Sequence, residues 1–215
     1  NYKDEFKNID VCISSDGEDI LNTAKKFMDI NIINRPQNIS GDTTSKVLVI
    51  KHAVFEIESR FFKKYDYVID LDVTSPLRSI QDIFNCLDKK INSNNLDVVF
   101  SVVNSRRNPS FNMVYELDNN IVKKVIDSDF TARQQVKPCY DMNASIYVYN
   151  RDSLIKDNFN NIFDNKCGMY KMRDTGILDI DCENDFELLE VISSHLFEND
   201  KNLKSIIDYI IKKEK

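Results

Sequence analysis

Glycine is scarce in this chain, with only four among 215 residues. None gathers into a Gly-rich turn after the first predicted strand, so the familiar backbone cradles for phosphate are missing from it. The five cysteines (Cys12, Cys86, Cys139, Cys167, Cys182) are scattered, odd in number and never spaced as C-x-x-C. That pattern argues against a disulfide framework or a zinc centre and fits free thiols in a reducing compartment. Only two histidines occur, His52 and His195, both on predicted helices; no Ser-His-Asp order and no metal-binding His cluster can be assembled from them. No run approaches the about 18 to 20 continuous apolar residues of a membrane span. The mostly polar opening, Asn1 to Lys7, predicts no signal peptide, and a cytoplasmic location is expected. A formal net charge of -6 excludes a general nucleic-acid binder, which needs a basic face. A site for one anionic nucleotide stays open, because it needs only a local cation or metal.

What is present is the composition of an ordinary globular domain, 42% hydrophobic and 30% charged. The chain is read as one domain over 1–215. Ile9 to Ser15 reads as a strand, Glu18 to Met28 as a helix, and Ile30 to Ile33 as a second strand. Asp42-Thr43 is expected to start a long helix carrying Val47, Ile50, Val54, Ile57 and Phe61 at helical spacing. Tyr67 to Leu71 is a short β-branched run typical of a buried strand. It stops at Asp72, turns at Ser75-Pro76, and leads to Ser79 as the cap of a helix through Ile91. Asp97 to Val103 follows as another strand. This β-α alternation predicts an α/β fold with a mostly parallel sheet covered by helices. The rhythm then breaks. Phe111 to Glu116 and Ile121 to Ile126 flank Asp118-Asn119-Asn120 as a hairpin, an inserted arm suited to reach over a site or a partner. Asn143 to Tyr149 and Met169 to Met172 read as strands; Phe186 to Leu196 and Leu203 to Ile211 read as closing helices.

Ligands of open α/β sheets bind beyond the carboxyl ends of the strands. That rule predicts a substrate pocket around Asp72, Thr74, Ser75 and Arg78. Asp179-Ile180-Asp181 is a second cluster: carboxylates at i and i+2 of an extended segment share a side and could hold one cation. Magnesium is commonly bound by one or two carboxylates plus phosphates and water. Equally, Asp181 could simply cap the helix beginning near Glu183. Arg133-Gln134, with Tyr140, Asn143 and Tyr147, offers a guanidinium fork for a carboxylate and donors for hydroxyl or amide groups, or else a solvated loop and a half-wet strand. Arg106-Arg107-Asn108-Pro109 is a basic turn into the hairpin. Arg35 with Asp42-Thr43-Thr44 is a further polar group beyond a strand, otherwise just a loop and an N-cap.

Taken in order, Ser14-Ser15-Asp16, Arg35-Pro36 with Asp42-Thr43, Leu71 to Arg78, Arg133-Gln134, Asn143 to Tyr147 and Asp179-Ile-Asp181 resemble the acylneuraminate cytidylyltransferases. Arg107 to Asn112 and Cys139 to Tyr147 look most like the branch that activates legionaminic acid, a bacterial relative of sialic acid. The resemblance implies a three-layer, Rossmann-like nucleotide-diphospho-sugar transferase fold. It also implies transfer of CMP from CTP to a nine-carbon keto sugar acid, with release of pyrophosphate. By match, Asp179 and Asp181 would hold Mg²⁺, and Arg35 with Asp42, Thr43, Thr44 and Ser45 would surround the cytosine. Asp72, Thr74, Ser75, Arg107, Asn112, Arg133, Asn143 and Tyr147 would meet the sugar acid, with Arg133 opposite its carboxylate. Residues 105–141 would form an arm exchanged across a homodimer. The resemblance departs in two places. The family's basic, Ser/Gly-containing loop would lie before Asn1, so about 40 further residues are expected upstream in a fold of this length. Asp72 stands where the sialic acid branch has glutamine, which points to a different sugar. The alternatives are a nucleotidyltransferase for a pseudaminic or deoxyoctulosonic acid, and a non-catalytic dimeric binding module.

Overall fold

A single strand buried on both faces, Val98–Asn104, organises the fold into layers. The computed structural model describes residues 8–27, 29–174, 178–204, 206 and 208. In chain order its elements are β1 (Cys12–Ser15), α1 (Glu18–Phe27), β2 (Asn31–Asn34), α2 (Lys46–Phe61), β3 (Tyr67–Leu71), α3 (Ile80–Ile91) and β4 (Val98–Asn104). They continue with β5 (Val114–Glu116), β6 (Val122–Lys124), β7 (Tyr140–Asn150), α4 (Arg151–Leu154), β8 (Cys167–Lys171) and α5 (Glu183–Asn199). Val98, Phe100 and Val102 of β4 pack with Val47, Ile50 and Val54 of α2. Val99 and Val103, pointing the other way, pack with Cys86 of α3 and with Ile146 and Val148 of β7. A strand with apolar residues on both faces is what a sheet between two helix layers requires. The three layers follow from that.

The sheet itself departs from the expected pattern. β1 and β2 pair in parallel, and β4 and β8 pair in parallel, but β7 lies antiparallel between β3 and β4. The four-stranded sheet, ordered β3-β7-β4-β8, is therefore mixed and not mostly parallel. β-α alternation in the first half predicts β3 beside β4. β7 carries apolar side chains on both faces and takes the place between them. Period-two patterning identifies a strand, but it does not say which neighbour the strand pairs with.

Predicted element positions otherwise hold to within a few residues. β3 and α3 match, and Ser79 caps α3 in a capping box: its hydroxyl accepts from the Asp82 N–H at 3.1 Å, and its own N–H donates to Asp82 Oδ2 at 2.8 Å. α2 starts at Lys46, later than Asp42-Thr43, after a turn in which the Thr44 N–H donates to the Gly41 carbonyl. Asn119 and Asn120 adopt φ of 65° and 60° in the β5–β6 turn, the left-handed geometry that asparagine tolerates best after glycine. The expected end of α1 at Met28, and most of the predicted helix over 203–211, lie outside the described residues.

Two buried polar ties fix the sheet. Opposite Ser101, β7 carries a bulge: Phe100 pairs with Tyr147 and Val102 with Met142, and Ala144 takes a φ of 52°. A non-glycine residue there costs about 1–2 kcal/mol, so the surroundings must hold it. Ser101 Oγ does so by donating to Asn143 Oδ1 at 2.6 Å and accepting from the Ile146 N–H at 2.9 Å. At the far end of β7, Arg151 forks onto Glu58 of α2, Nε to Oε1 at 2.8 Å and Nη2 to Oε2 at 2.6 Å.

Ser101→Ala orphans the buried Ile146 N–H and should cost about 1–3 kcal/mol, read as a drop of roughly 2–12 °C in thermal midpoint with altered near-UV dichroism from Tyr147. Arg151→Met strands Glu58 and should destabilise the fold by about 3–5 kcal/mol in urea titration, with most of the loss recovered by adding Glu58→Leu. Hydrogen bonds from Arg151 hold the Glu58 carboxyl below its ordinary pKa. The stability this pair contributes is complete above the ordinary glutamate value and is lost as pH falls through the depressed one. The urea midpoint of the wild type should therefore decline more steeply on the acid side than that of the double variant, in which the other low-pKa carboxylates remain.

Candidate active site

Beyond Leu71, β3 keeps one more link to β7, the Asp72 N–H donating to the Ser145 carbonyl at 3.3 Å. The chain then turns through 73–79, and Arg78 fills the inside of that turn. Its Nη1 donates to the carbonyls of Asp72 (2.7 Å), Ser75 (2.8 Å) and Ser145 (3.1 Å). Burial pulls the Arg78 pKa down, and the charges of Asp72 and Asp70 oppose the pull. Ser145 Oγ donates to the Ser75 carbonyl at 3.2 Å. The bulge of β7 and the turn after β3 are thus one hydrogen-bonded unit at the sheet's carboxyl edge. Ser75 is buried within it, as is Asn143, whose amide is engaged by Ser101 and, at 3.3 Å, by Met172 Sδ. Of the predicted pocket residues, Asp72 and Thr74 keep exposed surface, and Thr74 Oγ1 donates to Asp72 Oδ1 at 3.2 Å.

The segment preceding α5 docks on this turn. The Ile180 N–H donates to the Thr74 carbonyl at 3.0 Å, while Leu178 and Ile180 pack with Leu77 and Leu189. This brings Asp179 to the same edge. Its Oδ1 is buried without a hydrogen-bond partner, an arrangement that is costly unless a cation or donor arrives. Asp181 is exposed. It is not the helix cap: Cys182 holds that position, and Asp185 Oδ2 accepts from the N–H groups of Asp181 (3.1 Å) and Cys182 (3.0 Å).

Two residues absent from the sequence-based set stand at the centre. Lys46 Nζ lies 2.8 Å from Asp72 Oδ2 and 3.0 Å from Asp70 Oδ2, and 4.7 Å from the centre of the Tyr147 ring. Asp70 Oδ2 is buried with this ion pair and has no directed hydrogen bond. Burial raises the Tyr147 phenol pKa; Lys46 opposes the shift, and Asp70, Asp72 and Asp179 add to it. All four charges therefore act on one phenol. A lysine at the first position of α2, where the helix dipole disfavours a cation, was the available sequence signal.

Of the remaining predicted residues, Arg35 and Arg107 each line a cleft. Arg35 lines one of about 480 Å³ together with Asp16, Glu18, Asn34, Pro36 and Gln37. Its guanidinium is anchored on Ser14, Nη2 to the carbonyl at 2.6 Å and Nε to Oγ at 3.4 Å. Asp42, Thr43, Thr44 and Ser45 sit on the turn into α2 and do not line this cleft. Arg107 lines a smaller cleft of about 160 Å³ at the end of β4, with Arg106, Met113, Asp141 and Asp174. Asn112 Oδ1 accepts from the Asn108 N–H at 2.8 Å and closes the base of the hairpin. Arg133 is exposed, with Nη2 3.5 Å from the Ser105 carbonyl, so both arginines belong to the arm's root. Among the described residues, no three potential His, Cys, Asp or Glu ligands converge on a metal position.

A family model described as Cytidylyltransferase matches residues 3–210. The chain is 36% identical over 187 residues to the post-translational flagellin modification protein B of Campylobacter coli, covering 87% of this chain and 77% of that protein. It is also 36% identical over 189 residues to the CMP-N,N'-diacetyllegionaminic acid synthase of Campylobacter jejuni, covering 88% and 78%. Among solved structures, a CMP:2-keto-3-deoxy-manno-octonic acid synthetase complexed with CTP superposes with a TM-score of 0.59 over 87% of this chain and 81% of that one. At 14% identity that likeness concerns the fold alone. With the family model spanning nearly the whole length, and two relatives above a third identical, the chain belongs to the cytidylyltransferase family.

Proposed function

We propose that this chain transfers CMP from CTP to a nine-carbon keto sugar acid of the legionaminic type and releases pyrophosphate. The observation that carries the reading is the docking of the Asp179 segment on the turn after β3, through the Ile180 N–H and the Thr74 carbonyl. It gathers carboxylates from distant parts of the chain at the sheet edge where ligands of this architecture bind. The sugar's anomeric hydroxyl attacks the α-phosphate of CTP in line, and pyrophosphate leaves. Rate enhancement then comes from positioning and charge neutralisation. We assign the cleft beside Arg35 to the nucleotide, with Asp42 to Ser45 on its approach. Arg133 offers a fork for the sugar carboxylate, with Arg107, Asn112, Asp72, Thr74 and Tyr147 around the rest of the sugar.

Magnesium suits the Asp179 position. The buried, unpartnered Oδ1 is an acceptor in want of a cation, and one or two carboxylates suffice when phosphates complete the shell. Asp179 would hold the ion with Asp181; when bound, it would offset charge developing on the transferring phosphate. Asp179→Asn or Asp181→Ala should lower turnover on the order of 100-fold or more, and a chelator should abolish it reversibly. Full turnover in Asp181→Ala would remove that residue from the metal site. Pyrophosphate release from CTP with a panel of legionaminic, sialic, pseudaminic and deoxyoctulosonic acids tests the sugar class. Asp72→Gln should shift the kcat/KM ratio between legionaminic and sialic acid by roughly 10-fold; an unchanged ratio makes Asp72 scaffold.

The arm supports a homodimer. β5 and β6 pair only with each other among the described residues, and Val114, Ile121, Val122, Val125 and Ile126 are exposed on or beside them. An isolated two-stranded ribbon is marginal in water, and an apolar patch of this kind marks an interaction surface. A second copy of the chain is the occupant we assign. Light scattering should give a dimer, and Ile121→Asp with Val122→Asp should give a folded monomer with reduced turnover. A dimer unaffected by that pair of changes would place the interface elsewhere.

A further inference from the structure

Three carboxylates, Asp70, Asp72 and Asp179, lie near enough to Tyr147 to raise its phenol pKa, at an edge that must receive two anionic substrates if the proposed function holds. Uncompensated, that charge would repel both a triphosphate and a sugar carboxylate. Among the described residues Lys46 is the cation in direct ion-pair contact with this group, 2.8 Å from Asp72 and 3.0 Å from Asp70, while Arg78, tied to backbone carbonyls, adds its charge from within the turn. The placement of Lys46 runs against local preference. Lys46 opens α2, no acidic residue occupies the first turn, and Ser45 makes no side-chain cap bond. A cation at a helix N-terminus faces the positive end of the dipole. A residue that breaks a local rule while meeting two carboxylates on a neighbouring element is what a site, rather than a helix, demands.

The geometry also limits what Asp72 can do. Its Oδ2 is taken by Lys46, and its Oδ1 accepts from Thr74 at 3.2 Å, so the carboxylate is held from both ends. It remains partly exposed at the sheet edge. A carboxylate oxygen has capacity for a second donor. The Tyr147 ring backs the ammonium at 4.7 Å and restricts its swing.

We propose that Lys46 is the specificity-setting counter-ion of the sugar-acid site: it neutralises Asp70 and Asp72 together and fixes Asp72 as an acceptor for an N–H or O–H donor on the sugar. This rests on the proposed function. The same site with glutamine in place of Asp72 would leave Lys46 only Asp70 to neutralise. The acid at 72 and the lysine at 46 therefore act as a unit, and Lys46 is a positioning residue that works through Asp72.

The charged groups facing Lys46 are Asp70 and Asp72, with Tyr147 beneath it; Asp179 and the half-buried Arg78 complete the surroundings. Burial lowers the Lys46 pKa, but the pull of Asp70 and Asp72 outweighs it and holds the ammonium above its usual value. Burial likewise raises Asp72, and Lys46 with Thr74 brings it below the ordinary carboxylate range. Removing Lys46 reverses the second balance. The Asp72 pKa should then rise, and the repulsion of the sugar acid should fade as pH falls.

The test compares full-length wild type, Lys46→Met, Lys46→Arg and Lys46→Met with Asp72→Asn, by pyrophosphate release from CTP and legionaminic acid between about pH 5.5 and 8.5. Lys46→Met should raise the sugar KM roughly 10-fold or more while leaving the CTP KM within about 2-fold. The penalty should shrink toward acid pH, and both Lys46→Arg and the double variant, which keeps only the Asp70 charge of the pair, should recover part of it. The side chain is 43% exposed, so truncation opens no core cavity. A rise in CTP KM without a rise in sugar KM overturns the proposal and makes Lys46 a triphosphate contact. So does a pH-independent loss that the double variant fails to recover. Carbon-13 NMR titration of the Asp72 carboxyl needs no turnover: its pKa should rise in Lys46→Met, and an unchanged value overturns the ion-pair basis. If the wild type turns over none of the sugar acids, the functional reading fails while the NMR titration still decides the role of Lys46.

Discussion

Arg78 is a half-buried guanidinium whose hydrogen bonds go mainly to backbone carbonyls, with Ser145 Oγ beside them, rather than to a carboxylate. From one nitrogen it reaches the carbonyls of Asp72, Ser75 and Ser145, which belong to the end of one strand, the turn that follows, and the bulge of the next strand. The Ser145 and Ser75 carbonyls also accept from the Asp72 N–H and Ser145 Oγ, and Arg78 ties both to the Asp72 carbonyl where the regular ladder has stopped. The positive charge cannot be lost, because a guanidinium stays protonated even when burial lowers its pKa. Everything functional at this edge is attached to that node. Asp72 and Thr74 sit on the turn it fills, Tyr147 follows the bulge it holds, and the Asp179 segment bonds to the same turn through Thr74.

Around the node, charge is arranged by distance in sequence. Asp70 and Asp72 come from β3 and its end, Lys46 from α2, Asp179 from the segment before α5, and Tyr147 from β7. No two of these elements are consecutive in the sheet order except β3 and β7. A site assembled in this way depends on the mixed topology. With β7 antiparallel between β3 and β4, its bulge falls beside the carboxyl end of β3, and a bulge both bends a strand and re-aims its side chains. A purely parallel arrangement would not bring Ser145 to Asp72.

Element positions were legible because they are written locally, in hydrophobic period and in caps such as Ser79. Strand order was not, because β7 reads equally well as a neighbour of several strands. The site was legible as a set of clusters, including Asp72, Thr74, Arg35 and Asp179, since polar residues just past apolar runs mark strand ends. Lys46 and Asp70 escaped that reading. Asp70 lies inside an apolar run, where its acidity looks like an interruption, and Lys46 looks like an ordinary surface residue opening a helix. Only the pairing of the two gives either a meaning, and pairing between distant segments is a property of the folded chain. Asn143 was legible as a polar residue on a strand. Its engagement by Ser101 and Met172 inside the bulge was not.

The hairpin arm enters and leaves the sheet through neighbouring strands. Asn104 pairs with Tyr140, and the Ser105 N–H donates to the Cys139 carbonyl at 3.1 Å, so the arm's two ends are side by side. Topologically it is an overgrown loop between adjacent antiparallel strands, and lengthening such a loop carries only a slowly growing entropic cost. Insertions, deletions or wholesale replacement between these two residues leave the register of β4 and β7 untouched. The hairpin's length and the polar edge beyond β3 are thus set by separate parts of the chain.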